Sequence, residues 1–241
     1  MNTEIQFSEK INPGDLIAIG DIHGRYDLFS QVVRWLRGSG ARVILLGDLI
    51  DRGGQDIEVL DAVSSLLKDP GSEGLEAFYA LKGNHEQMFV NAAITENHCD
   101  MMLWLQNGGN LDQFEEMVSG HLDWLKELPV FMQVADTIFV HAGLVPGEDP
   151  KVTLDKGDSD VLVWMRNPFL KKGPKLHKWT DYVKRVVHGH TITSKLPTFG
   201  PGGRVNLDTG SFMTGIITAY NLTQETFHQI KGKPNPAYGT I

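Results

Sequence analysis

The stretch DLIAIGDIHG, residues 15–24, ends a short apolar run on a glycine and then delivers an aspartate and a histidine two positions apart. An apolar run that ends on a glycine followed at once by an aspartate or asparagine recurs in RVILLGDLIDRG (42–53) and LEAFYALKGNHE (75–86). Each run is apolar, short and bounded by turn formers, the pattern of a buried strand. YDLFSQVVRWL (26–36) and the segment 56–67 lie between them and carry apolar residues at helical spacing. Strand, helix, strand, helix, strand predicts parallel pairing with right-handed crossovers. Such sheets form their sites beyond the carboxyl ends of the strands, and Asp21, His23, Asp48, Asn84 and His85 all fall there.

Carboxylates, imidazoles and one amide are a ligand set for hard or borderline divalent metals. The Asp-x-His spacing lets Asp21 and His23 grip one ion together. A carboxylate from the neighbouring strand can bridge two ions about 3.5–4 Å apart, the spacing that suits in-line phosphoryl chemistry; Asp48 is the candidate bridge. Asn84 offers a neutral oxygen, and His141 in TIFVHAG and His190 in RVVHGHT offer imidazole nitrogens to the second ion. Open positions then remain for water and substrate. This donor set suits manganese, iron or zinc, and affinity trends alone do not choose among them; manganese is the expected ion, with iron or zinc as alternatives.

Downstream, residues from about 86 to 128 are rich in helix formers and predict an insert of three helices, ended by Pro129. VFMQVA and TIFVHAG predict a hairpin turned at Asp136. RVVHGHT (185–191), RVNLDTG (204–210) and GIITAYNL (215–222) predict further strands, TFHQI an edge strand, and GPGG (200–203) a turn. The expected fold is α/β, a two-sheet β-sandwich flanked by helices with that helical insert, forming one domain over residues 1–241. The tail KGKPNPAYGTI is expected to be loose.

Lys plus Arg number 22 against 30 Asp plus Glu, a formal charge of −8. That balance argues against a nucleic-acid or membrane-surface partner, which needs a basic face. It leaves an anionic substrate open, because bound metal ions reverse the local field. Cys99 stands alone, so no intrachain disulfide forms, which fits a reducing compartment. The amino-terminal residues lack a basic stretch followed by an apolar one, and no window approaches the roughly 18 apolar residues of a membrane span. The expected location is cytoplasmic.

GDIHG, GDLIDRG, GNHE, VHAGL, GHT and NLDTG, in that order, resemble the phosphoprotein phosphatase branch of the calcineurin-like metallophosphoesterases, most closely bacterial and phage serine/threonine protein phosphatases. The resemblance runs from Leu16 to Leu222, and LQNGGN in the insert shares it. It implies a first metal on Asp21, His23 and Asp48 and a second on Asp48, Asn84, His141 and His190. His85, next to a ligand, is then the proton donor to the leaving alkoxide, with Asp51 orienting it and raising its pKa. Arg52 offers a fork of donors for phosphate oxygens, and by resemblance Arg166 in VWMRNPF is the second clamp. The implied reaction is hydrolysis of phosphoserine or phosphothreonine in a phosphoprotein or phosphopeptide, by attack of a metal-bridging hydroxide.

Two other functions compete. Symmetrical diadenosine tetraphosphate hydrolases share much of this loop pattern but tend to lack an acid at the position of Asp51. A non-catalytic scaffold should have lost a ligand or the acid, and none is missing. His188 and His190 compete in VHGHT, and the resemblance favours His190. Asp208 suits a tight turn as well as the site. His98, His121, His177 and His228 are expected to face solvent, the five tryptophans to be core or rim, and Lys171, Lys172 and Lys175 to form a solvated loop.

Overall fold

LIAI, residues 16–19, carries no polar side chain on either face, and such a strand persists only when covered from both sides. The computed structural model describes residues 5–95, 97–170, 182–200, 202–235 and 238. In it that run is β1 (Leu16–Ile19), followed by α1 (Tyr26–Leu36), β2 (Arg42–Leu45), α2 (Asp56–Lys68) and β3 (Ala77–Ala80). Three helices come next: α3 (Asn84–Ile94), α4 (His98–Gln106) and α5 (Leu111–Lys126). The hairpin of β4 (Phe131–Val134) and β5 (Thr137–Val140) leads to α6 (Pro150–Lys156) and α7 (Ser159–Trp164). The chain then forms β6 (Arg185–His188), β7 (Thr198–Gly200), β8 (Arg204–Asn206), α8 (Ser211–Thr214), β9 (Ile216–Asn221) and β10 (Thr226–Lys231).

Two five-stranded sheets result, ordered β10-β9-β1-β2-β3 and β4-β5-β6-β8-β7. The first pairs β1 with β2 and β2 with β3 in parallel, with Ile17 opposite Val43 and Val43 opposite Phe78. The second pairs β5 with β6 and β6 with β8 in parallel. Side chains alternate along each strand, so every inner strand serves two cores. Ile17, Ile19, Val43 and Leu45 face the helices, packing with Phe29, Val59, Leu60 and the insert's Trp104 and Met117. Leu16, Ala18, Ile44 and Leu46 face the other sheet, meeting Phe139, Val187 and Val205. On the far side Ile138, Val140 and Val186 pack under Leu154 of α6 and Leu162 of α7. The layers are therefore helix, sheet, sheet, helix. Among the described residues no helix is long and apolar enough to cross a membrane.

The sequence did not announce β7, α6, α7 or α8, all short segments with little room for a periodic pattern. The predicted GPGG turn falls between β7 and β8, which pair antiparallel with Gly200 opposite Arg204. His121 is a correction: it is buried, not solvent-facing. It follows Met117 and precedes Leu125 at four-residue spacing, so it lies on the buried stripe of α5, where Trp124 Nε1 donates to its Nδ1 at 3.2 Å. His98 is exposed and His228 half-buried, stacked on Trp35 at 4.3 Å. The start of the tail is tied down, since Arg25 Nη2 donates to the Lys233 carbonyl at 2.9 Å. Lys171, Lys172, Lys175, His177 and Trp179 lie outside the described residues.

Candidate metal centre and phosphate site

Six parallel strands end at one place. β1 delivers Asp21 and His23, β2 Asp48 to Arg52, β3 Asn84 and His85, β5 His141, β6 His190, and β8 Asp208. The turns that aim these side chains are strained. His23, Asp48, Asp51, Arg52 and His190 all have left-handed backbone, with φ of 51°, 51°, 70°, 71° and 67°. Each such residue costs about 1–3 kcal/mol unless its surroundings impose it, and strain of that kind collects at functional sites. Only two other described non-glycine residues share it, Ala135 and Glu225. Glycines give the loops room: a Cβ at Gly47 would sit 2.5 Å from the Gly83 nitrogen, and one at Gly83 2.2 Å from Asp48 Oδ1.

Asp48 is the centre. Its Oδ1 lies 3.2 Å from His141 Nε2 and its Oδ2 3.4 Å from His23 Nε2, so the two carboxylate oxygens face different imidazoles. Asp48, His141 and His190 form one buried cluster, and His23, Asp48 and His85 a second, each with donor atoms within 4.8 Å of one another. Asn84 Oδ1 joins the first cluster, 3.0 Å from His141 Nε2 and 2.8 Å from His190 Nδ1. Asp21 is buried at the same place, but its carboxylate is turned to the His190 backbone N–H at 3.0 Å and is not in either cluster.

The donors fit a cation. His23 Nδ1 sits 3.0 Å from the Ile50 carbonyl and His141 Nδ1 2.9 Å from the Leu46 carbonyl. Each Nδ1–H is thereby committed to backbone, which presents Nε2 inward as metal-binding histidines do. His190 Nε2 is buried without a partner. The charges agree. Burial works against protonation of His141, yet Asp48 and Asp21 raise its pKa to about 9, so the acids draw positive charge into the site. Burial likewise opposes ionisation of Asp48, but His141, His85 and His23 hold its pKa well below the usual carboxylate range.

Beside this centre His85 Nδ1 and Asp51 Oδ2 are 2.6 Å apart, both fully buried, and Trp104 Nε1 donates to Asp51 Oδ1 at 2.9 Å. The orientation expected of Asp51 is present, but the expected rise in the pKa of His85 is not. Burial lowers it to about 3, Asp48 opposing and Arg52, His141 and Arg166 adding to the fall. Burial also lifts Asp51 well above the carboxylate range, with Asp48 adding to the rise and Trp104 and Arg52 opposing it. Arg52 reaches His23 Nε2 at 3.1 Å and lies 4.7 Å over the Phe212 ring. Arg166 follows α7 and is exposed, its Nη1 3.5 Å from Thr191 Oγ1, close enough to His85 and His190 to lower the pKa of each. His188 ends β6 against Phe169 (5.2 Å) and joins neither cluster. Asp208 closes a turn, accepting from the Gly210 N–H at 2.9 Å.

Sequence reasoning passed over Glu86, the last residue of GNHE. Its Oε2 accepts from the N–H groups of Gly83 (2.7 Å) and Asp48 (2.9 Å), and its Oε1 from that of Leu49 (2.7 Å). An acid three residues into a helix was the available signal, but here it caps a second loop as well as its own helix. Glu86→Ala strips partners from three buried donors. It is expected to lower stability by at least about 3 kcal/mol, at 1–3 kcal/mol per orphaned group, read as a fall in urea midpoint.

A family model described as calcineurin-like phosphoesterase matches residues 15–197. The symmetrical bis(5'-nucleosyl)-tetraphosphatase of Hamiltonella defensa subsp. Acyrthosiphon pisum (strain 5AT) is 30% identical over 192 residues, covering 74% of this chain and 64% of its own. This chain thus spans less than two thirds of that relative. The asymmetrical bis(5'-nucleosyl)-tetraphosphatase PrpE of Geobacillus sp. (strain WCH70) is 26% identical over 227 residues, 84% of this chain and 88% of its own. Among solved structures, a putative diadenosine tetraphosphatase superposes with a TM-score of 0.66 at 17% identity, covering 95% and 99% of the two chains. A protein serine/threonine phosphatase from Saccharomyces cerevisiae gives 0.61 at 14% identity, covering 95% and 86%. At these identities the structural matches speak for the fold alone.

Proposed function

The chain belongs to the calcineurin-like phosphoesterases, and from that premise we propose that it is a serine/threonine protein phosphatase acting on a cytoplasmic phosphoprotein. Two divalent ions, manganese by preference, held by Asp21, His23, Asp48, Asn84, His141 and His190 would supply Lewis-acid charge at the phosphoryl oxygens and a nucleophile at neutral pH. Arg52 and Arg166 grip the remaining phosphate oxygens, as guanidinium forks do.

The observation that carries this reading is the buried pair of His85 and Asp51 at 2.6 Å. Burial disfavours charge on both partners, raising the pKa of Asp51 and lowering that of His85. Trp104 donates to Oδ1, so a proton held by the carboxyl would sit on Oδ2 facing Nδ1 and leave the ring hydrogen on Nε2. Nε2 is buried, without a partner, and 3.9 Å from Asp48 Oδ2. The leaving alkoxide takes the Nε2 proton while Asp51 passes its own to Nδ1, so Asp51 ends as the carboxylate and His85 as a neutral ring. A serine or threonine alkoxide needs that proton. A nucleotide leaving group is a far weaker base and does not.

The names of the curated relatives favour a second reading, cleavage of dinucleoside tetraphosphates at the same centre. Product identity separates the two. Chelator-stripped protein is expected to release no orthophosphate from a phosphoserine peptide and to recover on addition of manganese, leaving diadenosine tetraphosphate intact. Manganese-dependent cleavage of the dinucleotide alone would replace the first reading with the second.

A further inference from the structure

We propose that the corner between α4 and α5 is the positioning element for the catalytic loop at 51–54, with Trp104 the residue that orients Asp51 toward His85. The proposal deepens the reading of Asp51 and His85 as the proton donor and rests on it. Four hydrogen bonds run from the insert to this loop. Trp104 Nε1 donates to Asp51 Oδ1 at 2.9 Å, and the Arg52 backbone N–H donates to the Gly108 carbonyl at 3.1 Å. Arg52 Nε donates to the Asn107 carbonyl at 3.3 Å, and Gln113 Nε2 to the Gly54 carbonyl at 3.0 Å.

The loop needs such support. Asp51 and Arg52 are consecutive non-glycine residues in left-handed conformation, a backbone that relaxes unless its neighbours impose it. From within its own segment the Asp51 N–H is held by Asp56 Oδ1 at 2.9 Å, whereas the Arg52 N–H is held by the insert. The fit of the corner is close. A Cβ on Gly108 would fall 2.8 Å from Arg52 Cγ, and one on Gly109 2.3 Å from the Trp104 ring. Trp104 itself is fully buried between Phe89 and Phe114, at centroid distances of 5.7 and 5.2 Å, so its N–H has one fixed direction. Without that donor Asp51 Oδ1 is a buried acceptor with no partner, and the carboxyl is free to rotate and offer His85 either oxygen.

The test is a double-mutant cycle on the full chain with manganese present, using a phosphoserine peptide and p-nitrophenyl phosphate. Trp104→Phe keeps an aromatic ring and removes the donor. It is expected to lower kcat on the peptide about ten- to hundredfold, the usual cost of losing a group that orients a reacting one, with KM unchanged and a much smaller loss on the aryl ester. In an Asp51→Asn background the same change should alter the peptide-to-aryl ratio no further. Gly109→Ala, which pushes the ring, should reproduce the shift in ratio, while Gly120→Ala on the open face of α5 should not. The proton shared between Asp51 Oδ2 and His85 Nδ1 gives a readout without substrate: its NMR resonance should move in Trp104→Phe and stay in Gly120→Ala. Equal losses on both esters, or an unmoved resonance, would reduce Trp104 to a packing residue. A resonance that moves in a protein inactive on both esters would instead uphold the positioning role and sink the phosphatase reading.

Discussion

Asp48→Asn is expected to abolish hydrolysis, with a loss on the order of a thousandfold or more, at the top of the range for removing one electrostatic group from a reacting centre. The argument is geometric. Both carboxylate oxygens are in use: Oδ1 faces His141 Nε2 at 3.2 Å and accepts from the His85 backbone N–H at 3.1 Å, while Oδ2 faces His23 Nε2 at 3.4 Å. An asparagine keeps one acceptor and turns an NH2 group on the other side. If its oxygen stays with the His85 amide, the NH2 meets the inward lone pair of His23. The variant also deletes the negative charge that lies between three imidazoles. Metal content and rate should fall together, because a bridging group serves two ions. Thermal unfolding of the same preparation separates ligand loss from loss of fold. A variant that binds two equivalents of manganese and turns over within tenfold of the parent would remove Asp48 from the bridge.

The reason so much of this centre is legible in sequence is that its donors come from turns, and turns write their chemistry locally. A glycine after an apolar run, followed at once by an aspartate or asparagine, specifies both the strand end and the side chain that leaves it. Parallel pairing then brings loops 27 or more residues apart to one place without further information: His23 Nδ1 reaches the Ile50 carbonyl, and Asp48 meets the Gly83–His85 turn. What the sequence hid depends on contacts across the fold. Trp104 looked like an ordinary core aromatic, since nothing within its own helix shows that its N–H meets an acid 53 positions away. Glu86 acts on Asp48 and Leu49 as much as on its own helix. The direction of the His85 pKa was misjudged for a related reason. A neighbouring carboxylate was visible in the motif, but the burial that outweighs it belongs to the assembled fold.

His85→Asn should divide the substrates instead of silencing the site. The side chain has two jobs, one on each ring nitrogen. Nδ1 is tied to Asp51 at 2.6 Å, and Nε2 faces the centre without a partner. Asparagine can hold the contact with Asp51 through its amide but cannot relay a proton, because the amide does not exchange one from atom to atom at neutral pH. The loss should therefore track the basicity of the leaving group. On a phosphoserine peptide the rate is expected to fall by about 10²–10⁴, the usual worth of a positioned proton donor. On p-nitrophenyl phosphate, whose phenolate departs unaided, the loss should be about tenfold or less. Metal content decides between this role and a rival one. His85 clusters with His23 and Asp48, its Nε2 3.9 Å from Asp48 Oδ2, so the ring stands near enough to be tested as a ligand. Two ions retained with unequal losses assigns His85 to the leaving group. One ion lost, with equal losses on both esters, would move it among the ligands and leave the alkoxide to be protonated by another group.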